Sequence, residues 1–264
     1  MTDRLAAGRG WLAVSLLVVL MTIATGVVAV VDHGEPPVIG GAVLTAAAVV
    51  GLTIAVPDRL SAAWAEHRLY VWFATGLFGL GSVIGALLLL AGVDLTDFFL
   101  ELIGDELGIE DGDDPSEEFE LELSATFFIL NNTPPFLFAI LGALTLGLFT
   151  ALVMVFNGIL VGNIALSMAG LAGVGFIVVG LVPHGIFELP ALFVASGVGF
   201  RLVHRFVDRI RGARESFLTR AYLVRTGWLV LFAWLILVVA AFVEAYVTPA
   251  LLEALVGARL EDGT

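Results

Sequence analysis

Long, nearly charge-free apolar runs constrain this chain more than any other feature. A helix needs about 20 apolar residues to cross the hydrocarbon core of a bilayer, and only helices or closed barrels satisfy every backbone polar group there. The sequence predicts an all-α fold, a polytopic integral membrane helix bundle with about seven transmembrane helices. The runs cover residues 11–31, 38–56, 69–93, 135–156, 159–182, 189–206 and 226–246.

Composition supports this class. Of 264 residues, 59% are apolar and 14% charged, whereas about 25% of the residues of a soluble domain are charged. There is no Cys, which excludes disulfides, thiolate zinc sites and thiol catalysis. The first apolar run is longer than the 7–15 residues of a cleaved signal-sequence core, so we expect a retained helix.

The charges are segregated along the chain. Residues 94–122 contain 13 acids and no base, which leaves 12 acids against 12 Arg elsewhere. All basic residues are Arg, and a Lys-free, acid-rich composition is typical of halophilic archaea. Apolar residues at helical spacing predict that the third span continues beyond the membrane, and that a second helix begins near Asp114 and ends before Asn131–Pro135. Together they predict an acidic extracytoplasmic helical hairpin at 94–133. The first helix of this hairpin carries Leu95, Phe98, Phe99, Leu102 and Ile103.

The Arg distribution predicts the orientation, because short cytoplasmic loops are enriched in basic residues. Arg4 and Arg9 place the N-terminus in the cytoplasm. Seven spans then place the acidic hairpin outside and the Arg-rich loop at 209–225 inside. Between the fourth and fifth spans we predict a turn at Asn157–Gly158, with a re-entrant segment as the alternative. The protein is therefore predicted to be a multi-pass protein of the cell membrane.

Two polar stretches occur where lipid makes polar groups costly. One is FNGILVGN, with Asn157 and Asn163, and the other is PHGIFELPA. Glu188 follows His184 by four positions, so on a helix they share a face. Glu244 is predicted on the same side of the membrane. These residues are candidates for binding an ion, a lipid or a partner.

A purely structural interpretation of Glu188 is also available. Pro190 is tolerated in a first helical turn but breaks a helix interior, which predicts that the sixth helix begins near Glu188. The carboxylate would then only cap the helix, where backbone N–H groups are free.

Enzymatic chemistry has little support in the sequence. His184, Glu188 and Glu244 make a possible three-ligand zinc site, but no HExxH, GxSxG or phosphate-binding glycine motif occurs. We therefore predict a non-enzymatic protein without catalytic residues, bound metal or cofactor. Glycine pairs at small-xxx-small spacing indicate close helix packing, and we expect the Arg-rich loop to contact anionic lipid rather than nucleic acid. These glycines are Gly81, Gly85, Gly158, Gly162, Gly170, Gly173 and Gly175.

The same stretches resemble a known family. The segment TPPFLFAILGALTLGLFTALVMVFNGILVGNIA, followed by LVPHGIFELPALFVASGVGFRL, is similar to the stage II sporulation protein M family, also called DUF95. The resemblance extends from about residue 69 to residue 246. It implies a polytopic membrane fold and candidate site residues at Asn132, Asn157, Gly158, Gly162, Pro183, His184, Gly185, Glu188 and Pro190.

The family's founding member is a membrane scaffold that holds peptidoglycan-cleaving partners during sporulation, a role that cannot apply in a halophilic archaeon. We predict a family-like core at 69–250, a two-helix extension at 1–56 and an acidic tail at 251–264. The predicted function is a scaffold or recruiter in membrane or envelope remodelling, with other membrane proteins or a second copy as partners. The alternative is a transporter or channel with a polar intramembrane site at Asn157, Asn163, His184 and Glu188.

Overall fold

The computed structural model describes residues 2–31, 36–98 and 124–262, with side chains for residues 10–31, 38–98 and 124–255. Helices dominate these residues, and no strand occurs among them. The helices are α1 (Thr2–Val31), α2 (Pro36–Ala55), α3 (Pro57–Leu90), α4 (Ala125–Leu141), α5 (Leu148–Ala172), α6 (Val174–Ile210), α7 (Arg220–Phe242) and α8 (Thr248–Asp262). A 3₁₀ turn (Gly142–Thr145) continues α4, and a π-helical turn (Val243–Val247) joins α7 to α8.

Seven helical segments of the described residues are long and apolar enough to cross a membrane. The seventh, Arg220–Leu255, combines α7, the π-helical turn and the start of α8. The predicted all-α polytopic bundle is confirmed. Several segments exceed the ~20 residues that a bilayer requires, since α6 alone has 37 residues.

The junctions around α5 differ from the prediction. Asn157–Gly158 lies inside α5, so the predicted turn there is wrong. The chain turns instead at Leu146 and Gly147, with φ of 55° and 84°, and at Gly173, with φ of 88°. An uninterrupted apolar stretch carries no charge to mark a helix end, and the positive φ of a glycine is a weak signal in sequence.

The prediction for the acidic segment also needs correction. Helix α3 ends at Leu90, and Gly92 has a φ of 90°, so the third span does not continue as a helix. Helix α4 passes through Asn131–Pro135 instead of ending before it. Neighbouring helices can satisfy the backbone groups that Pro leaves free in a membrane helix. The start near Asp114 and the side chains of Phe99, Leu102 and Ile103 lie outside the described residues.

The glycine pairs of α3 and α5 bring two backbones into contact. A Cβ on Gly81 would collide with the carbonyl of Val155, and one on Gly162 with the carbonyl of Ser82. Gly85 and Gly158 are equally crowded. Close packing is confirmed for these two pairs. It does not extend to Gly170, because a Cβ there would meet nothing within 4 Å.

Helices α1 and α2 pack on the same hydrophobic core as the rest of the bundle. Trp11 Nε1 donates to Ser61 Oγ at 3.0 Å, and the Trp11 ring contacts Phe232 edge to face at 5.1 Å. The start of α1 therefore lies at the same end of the bundle as the start of α3. Arg201 and Arg225 reach the start of α3 as well, because both contact Glu66.

Candidate functional site

A cavity of about 580 Å³ lies between α4, α5, α6 and the π-helical turn. Most of its wall is apolar, as is usual for small-ligand sites, in which a few polar groups fix the orientation of the ligand. Five polar side chains line it: Asn131, Asn132, Asn157, Glu188 and Glu244.

Three ionisable side chains meet at one side of this cavity. His184, Glu188 and Glu244 each offer a ligand atom, and these atoms lie within 4.8 Å of one another. His184 Nε2 is 3.9 Å from Glu244 Oε1, and His184 Nδ1 is 3.4 Å from Thr248 Oγ1. The predicted shared face of His184 and Glu188 and the predicted proximity of Glu244 are therefore what the structure shows.

The carboxylates of this cluster have few partners. Glu244 Oε2 is buried and has no hydrogen-bond partner among the described residues. Among the described residues, no arginine forms an ion pair with Glu188 or Glu244. The one ionisable partner of Glu244 there is the buried His184. Two carboxylates this close repel each other at bilayer depth, and a cation or a shared proton relieves that repulsion.

The two helical segments that contain His184, Glu188 and Glu244 are irregular near these residues. Helix α6 contains Pro183 and Pro190, which flank His184 and Glu188 and cannot donate backbone hydrogen bonds to the carbonyls four residues earlier. Glu244 belongs to the π-helical turn, a distortion that is frequent at functional sites.

The structure excludes the capping interpretation of Glu188. Helix α6 begins at Val174 and runs continuously through Pro183 and Pro190, so Glu188 lies 14 residues inside it. Pro190 is not at a helix start, because a membrane helix tolerates an interior proline when its neighbours compensate. Glu188 has no free helix N-terminus to cap.

The two asparagines of α5 have different surroundings. Asn157 lines the cavity; its Nδ2 donates to Val153 O at 2.8 Å, and its Oδ1 accepts no hydrogen bond from a described residue. Asn163 is fully buried and does not line the cavity. Its Nδ2 donates to Gly85 O and Val93 O, and its Oδ1 accepts from Leu95 N at 2.8 Å. Asn163 therefore fastens the end of α3 to α5.

Other candidate residues shape the site without lining the cavity. Gly158 and Gly162 pack against α3, whereas Pro183 and Pro190 interrupt the hydrogen bonding of α6. A Cβ on Gly185 would meet only Leu181 Cγ, at 3.9 Å, so packing does not explain this glycine. Asn132 lines the cavity, and so does Asn131, which the sequence analysis did not single out.

A second polar cluster, which the residue patterns did not predict, lies at the Arg-rich end of the bundle. Glu66 of α3 contacts Arg201 at 3.1 Å, Arg205 at 3.0 Å and Arg225 at 2.6 Å. Arg205 also stacks on Tyr222, with its guanidinium carbon 3.8 Å from the ring centroid. The spacing of Arg201 and Arg205, four residues apart at the end of a span, was the available signal. It did not indicate Glu66, which lies 135 residues earlier.

The cavity cluster has the donor set of a cation site. One imidazole nitrogen and carboxylate oxygens suit Zn²⁺, Mn²⁺ and similar ions, and Asn oxygens can complete such a shell. A proton shared between Glu188 and Glu244 would satisfy the same groups. The fold and the site together define a polytopic α-helical membrane protein with a polar site between its helices.

The family follows from comparison with known proteins. The model of the family described as Stage II sporulation protein M matches residues 72–249, and the chain belongs to this family. The match contains the whole cavity cluster and leaves α1 and α2 outside. A relative from the archaeon Methanocaldococcus jannaschii, an uncharacterized protein, is 32% identical over 126 residues, which are 46% of this chain and 69% of the relative. No solved structure matches the chain.

Proposed function

We propose that this protein binds a cation in the cavity between α4, α5, α6 and the π-helical turn and moves it across the membrane. The main support for this proposal is that Asn157, Glu188 and Glu244 line one cavity. His184 lies beside the two carboxylates. A transporter or channel requires its polar groups to meet in one connected space at membrane depth.

The depth of the site supports this proposal. Arg201 follows Glu188 by thirteen positions in α6, or about 20 Å along the helix axis. Arg201 belongs to the cluster at the Arg-rich end, so Glu188 lies well within a hydrocarbon core of about 30 Å. Ionisable groups at such depth are functional candidates by default.

We propose that the protein is not an enzyme. If a cation is bound, His184, Glu188 and Glu244 are all occupied as its ligands. The other polar groups that line the cavity are asparagine side chains, which do not serve as general bases. Apart from the candidate ligands, the described polar lining residues therefore provide no general base for metal-assisted hydrolysis.

Flux measurements on reconstituted protein test the proposal. Proteoliposomes with trapped pyranine report proton entry, and those with trapped calcein report Mn²⁺ entry by quenching. We expect one of the two fluxes to exceed that of protein-free vesicles, and Glu188→Gln and Glu244→Gln to reduce it at least tenfold. Glu253→Gln is the matched control, because this exposed glutamate lies on α8 away from the cavity. Absence of both fluxes in the unsubstituted protein would contradict the proposal.

A scaffold or recruiter is the second candidate, because 13 carboxylates without a base in residues 94–122 offer a charged docking segment. Its residues 99–123 lie outside the described part of the chain. Exchange of the acids at 101–122 for amides separates the two functions. A scaffold would lose complementation of a deletion strain with its flux intact, whereas a transporter would lose complementation with Glu188→Gln.

We further propose that the N-terminus and the Arg-rich end face the cytoplasm. A cysteine in place of Arg214 should react with a membrane-impermeant maleimide only after the cells are opened, and one in place of Asp113 should react in intact cells. The reverse pattern would invert the orientation. Because the chain has no Cys, each introduced thiol is the only target.

A further inference from the structure

The group of Glu66, Arg201, Arg205 and Arg225, here called the arginine cluster, has more positive than negative charge. Three guanidinium groups contact one carboxylate, at 2.6–3.1 Å. The neighbouring pair adds no negative charge, because Arg214 lies 3.9 Å from Asp208 and the two cancel. Two positive charges are left without a described counter-charge.

The surplus charge is held in a buried position. The side chain of Arg205 is only 2% exposed, and those of Arg201 and Glu66 are 14% and 16% exposed. The aromatic ring of Tyr222 covers one face of Arg205. Buried charges are ordinarily paired, because desolvation of an unpaired ion is costly.

Each arginine of the cluster also has an unused hydrogen-bond donor. Arg205 Nε donates to Phe217 O and its Nη1 to Glu66, but its buried Nη2 has no partner among the described residues. The Nε atoms of Arg201 and Arg225 are buried without a partner as well. Donors on three different guanidinium groups around one carboxylate are therefore buried without a described partner.

We propose that the arginine cluster binds a phosphate group, either from an anionic lipid headgroup or from phosphate in solution. Guanidinium groups match the oxygens of phosphate and donate to them in pairs. A phosphate carrying one to two negative charges would neutralise the surplus. This binding site is separate from the cavity and does not depend on cation transport there.

The surroundings of the cluster are compatible with a lipid as the source. A groove of about 460 Å³ between α3 and α6 has apolar walls that include Leu69, Phe73 and Phe200 and reaches Tyr70. Its other polar lining residues are His204, Asp208 and Arg211. The hydroxyl of Tyr70 accepts a hydrogen bond from Arg201 at 3.3 Å. An acyl chain can lie along these apolar walls while the headgroup phosphate reaches the arginines.

Binding is measured on the full-length protein in neutral detergent at constant ionic strength. One arm adds inorganic phosphate, with chloride as the reference salt, and follows the melting temperature. The other arm adds phosphatidylglycerol or phosphatidylcholine and counts retained lipids by native mass spectrometry. Stabilisation by phosphate that is lost in Arg225→Gln identifies the soluble source, because general salt stabilisation would persist in that variant. Retention of phosphatidylglycerol and not of phosphatidylcholine identifies the lipid. If neither occurs, the proposal is wrong.

Variants locate the binding. Arg201→Gln and Arg225→Gln should each weaken the observed binding at least tenfold. The matched control is Arg209→Gln, because Arg209 is exposed at the end of α6 and outside the cluster. Equal loss in all three variants would indicate unspecific attraction to surface charge and overturn the proposal. Arg225 is 34% exposed, so its variant should fold even if Arg201→Gln does not, and unchanged binding in Arg225→Gln would also overturn the proposal.

Discussion

Glutamates within the spans occur in two opposite environments. Glu66 at the Arg-rich end contacts three guanidinium groups, at 2.6–3.1 Å. Glu188 and Glu244 line a cavity, and the ionisable group beside them among the described residues is the imidazole of His184. The residue type and the kind of helix are the same, but the neighbouring charges differ in sign and number.

The difference separates a structural carboxylate from one available to a ligand. Glu66 joins three helices, since its partners belong to α6 and α7 while it belongs to α3. Its removal would leave three arginines without their common partner. Glu188 makes no described hydrogen bond or ion pair, so its replacement breaks no such interaction of the folded protein. We expect opposite effects on stability and on function at the two ends.

The largest expected effect is on the stability of Glu66→Gln. We expect it to lower the free energy of unfolding by about 2–3 kcal/mol, somewhat less than the ~3–5 kcal/mol for breaking a fully buried pair, because Arg225 is 34% exposed. Thermal unfolding of the detergent-solubilised protein measures the change.

Glu188→Gln is the matched comparison, since it makes the same chemical change in another span. We expect the unfolding free energy to stay within about 0.5 kcal/mol or to rise, because a neutral amide removes repulsion with Glu244. A loss as large as that of Glu66→Gln would mean that Glu188 is also structural, and the comparison would fail.

Within α5, a smaller effect than that of Glu66→Gln should distinguish Asn163 from Asn157. Asn163→Ala leaves three backbone groups of residues 85–95 without their partner, and the Gly85 carbonyl among them is buried, so we expect a loss of about 1–2 kcal/mol. Asn157→Ala removes a bond only to its own helix, so its cost should stay below about 0.5 kcal/mol while cation flux declines. Chemical denaturation and the proteoliposome assay report the two effects separately. If the two variants lost equal stability, Asn157 would be as important for folding as Asn163, and the distinction between them would be wrong.

The smallest effect concerns Asp94, which follows α3 at the end opposite the arginine cluster. Hydrogen bonds from Thr96, and then from Ser167, hold the pKa of this exposed carboxyl below its usual range. The folded state therefore favours the charged form, and its stabilisation is present at neutral pH and is lost as the pH falls through the lowered pKa. The melting temperature of Asp94→Asn should lie slightly below that of the unsubstituted protein at pH 7, and the difference should shrink as the pH falls through the lowered pKa. A difference that does not shrink on acidification would contradict this assignment.

Residue patterns predicted the bundle but not its junctions. Apolar runs of bilayer length give the seven spans because the physical requirement is simple and repeats along the chain. The junctions at Leu146–Gly147 and Gly173 depend on backbone dihedral angles, to which hydropathy is insensitive. The prolines led to predicted helix boundaries where none occur, because Pro135 and Pro190 both lie inside helices that continue past them.

The candidate site was predictable in part, for a similar reason. His184 and Glu188 share a helix, so their spacing alone places them together, and only the topology was needed to add Glu244. The contacts of Glu66 with Arg201 and Arg225 join residues 135 and 159 positions apart. Such contacts follow from how α3, α6 and α7 pack, which one sequence does not specify. The different roles of Asn157 and Asn163 depend on the rotation of α5 against α3.

The glycine contacts between α3 and α5 limit how the cavity can open. Backbone meets backbone at Gly81, Gly85, Gly158 and Gly162 without room for a methyl group, and Asn163 fastens the end of α3 to α5. These two helices therefore behave as one rigid body, and neither can slide along the other without a steric clash. Any hinge that admits a solute must involve α4, α6 or the π-helical turn. The interior prolines and the π-helical turn belong to these elements, so an opening movement would displace Glu188 and Glu244 relative to Asn157.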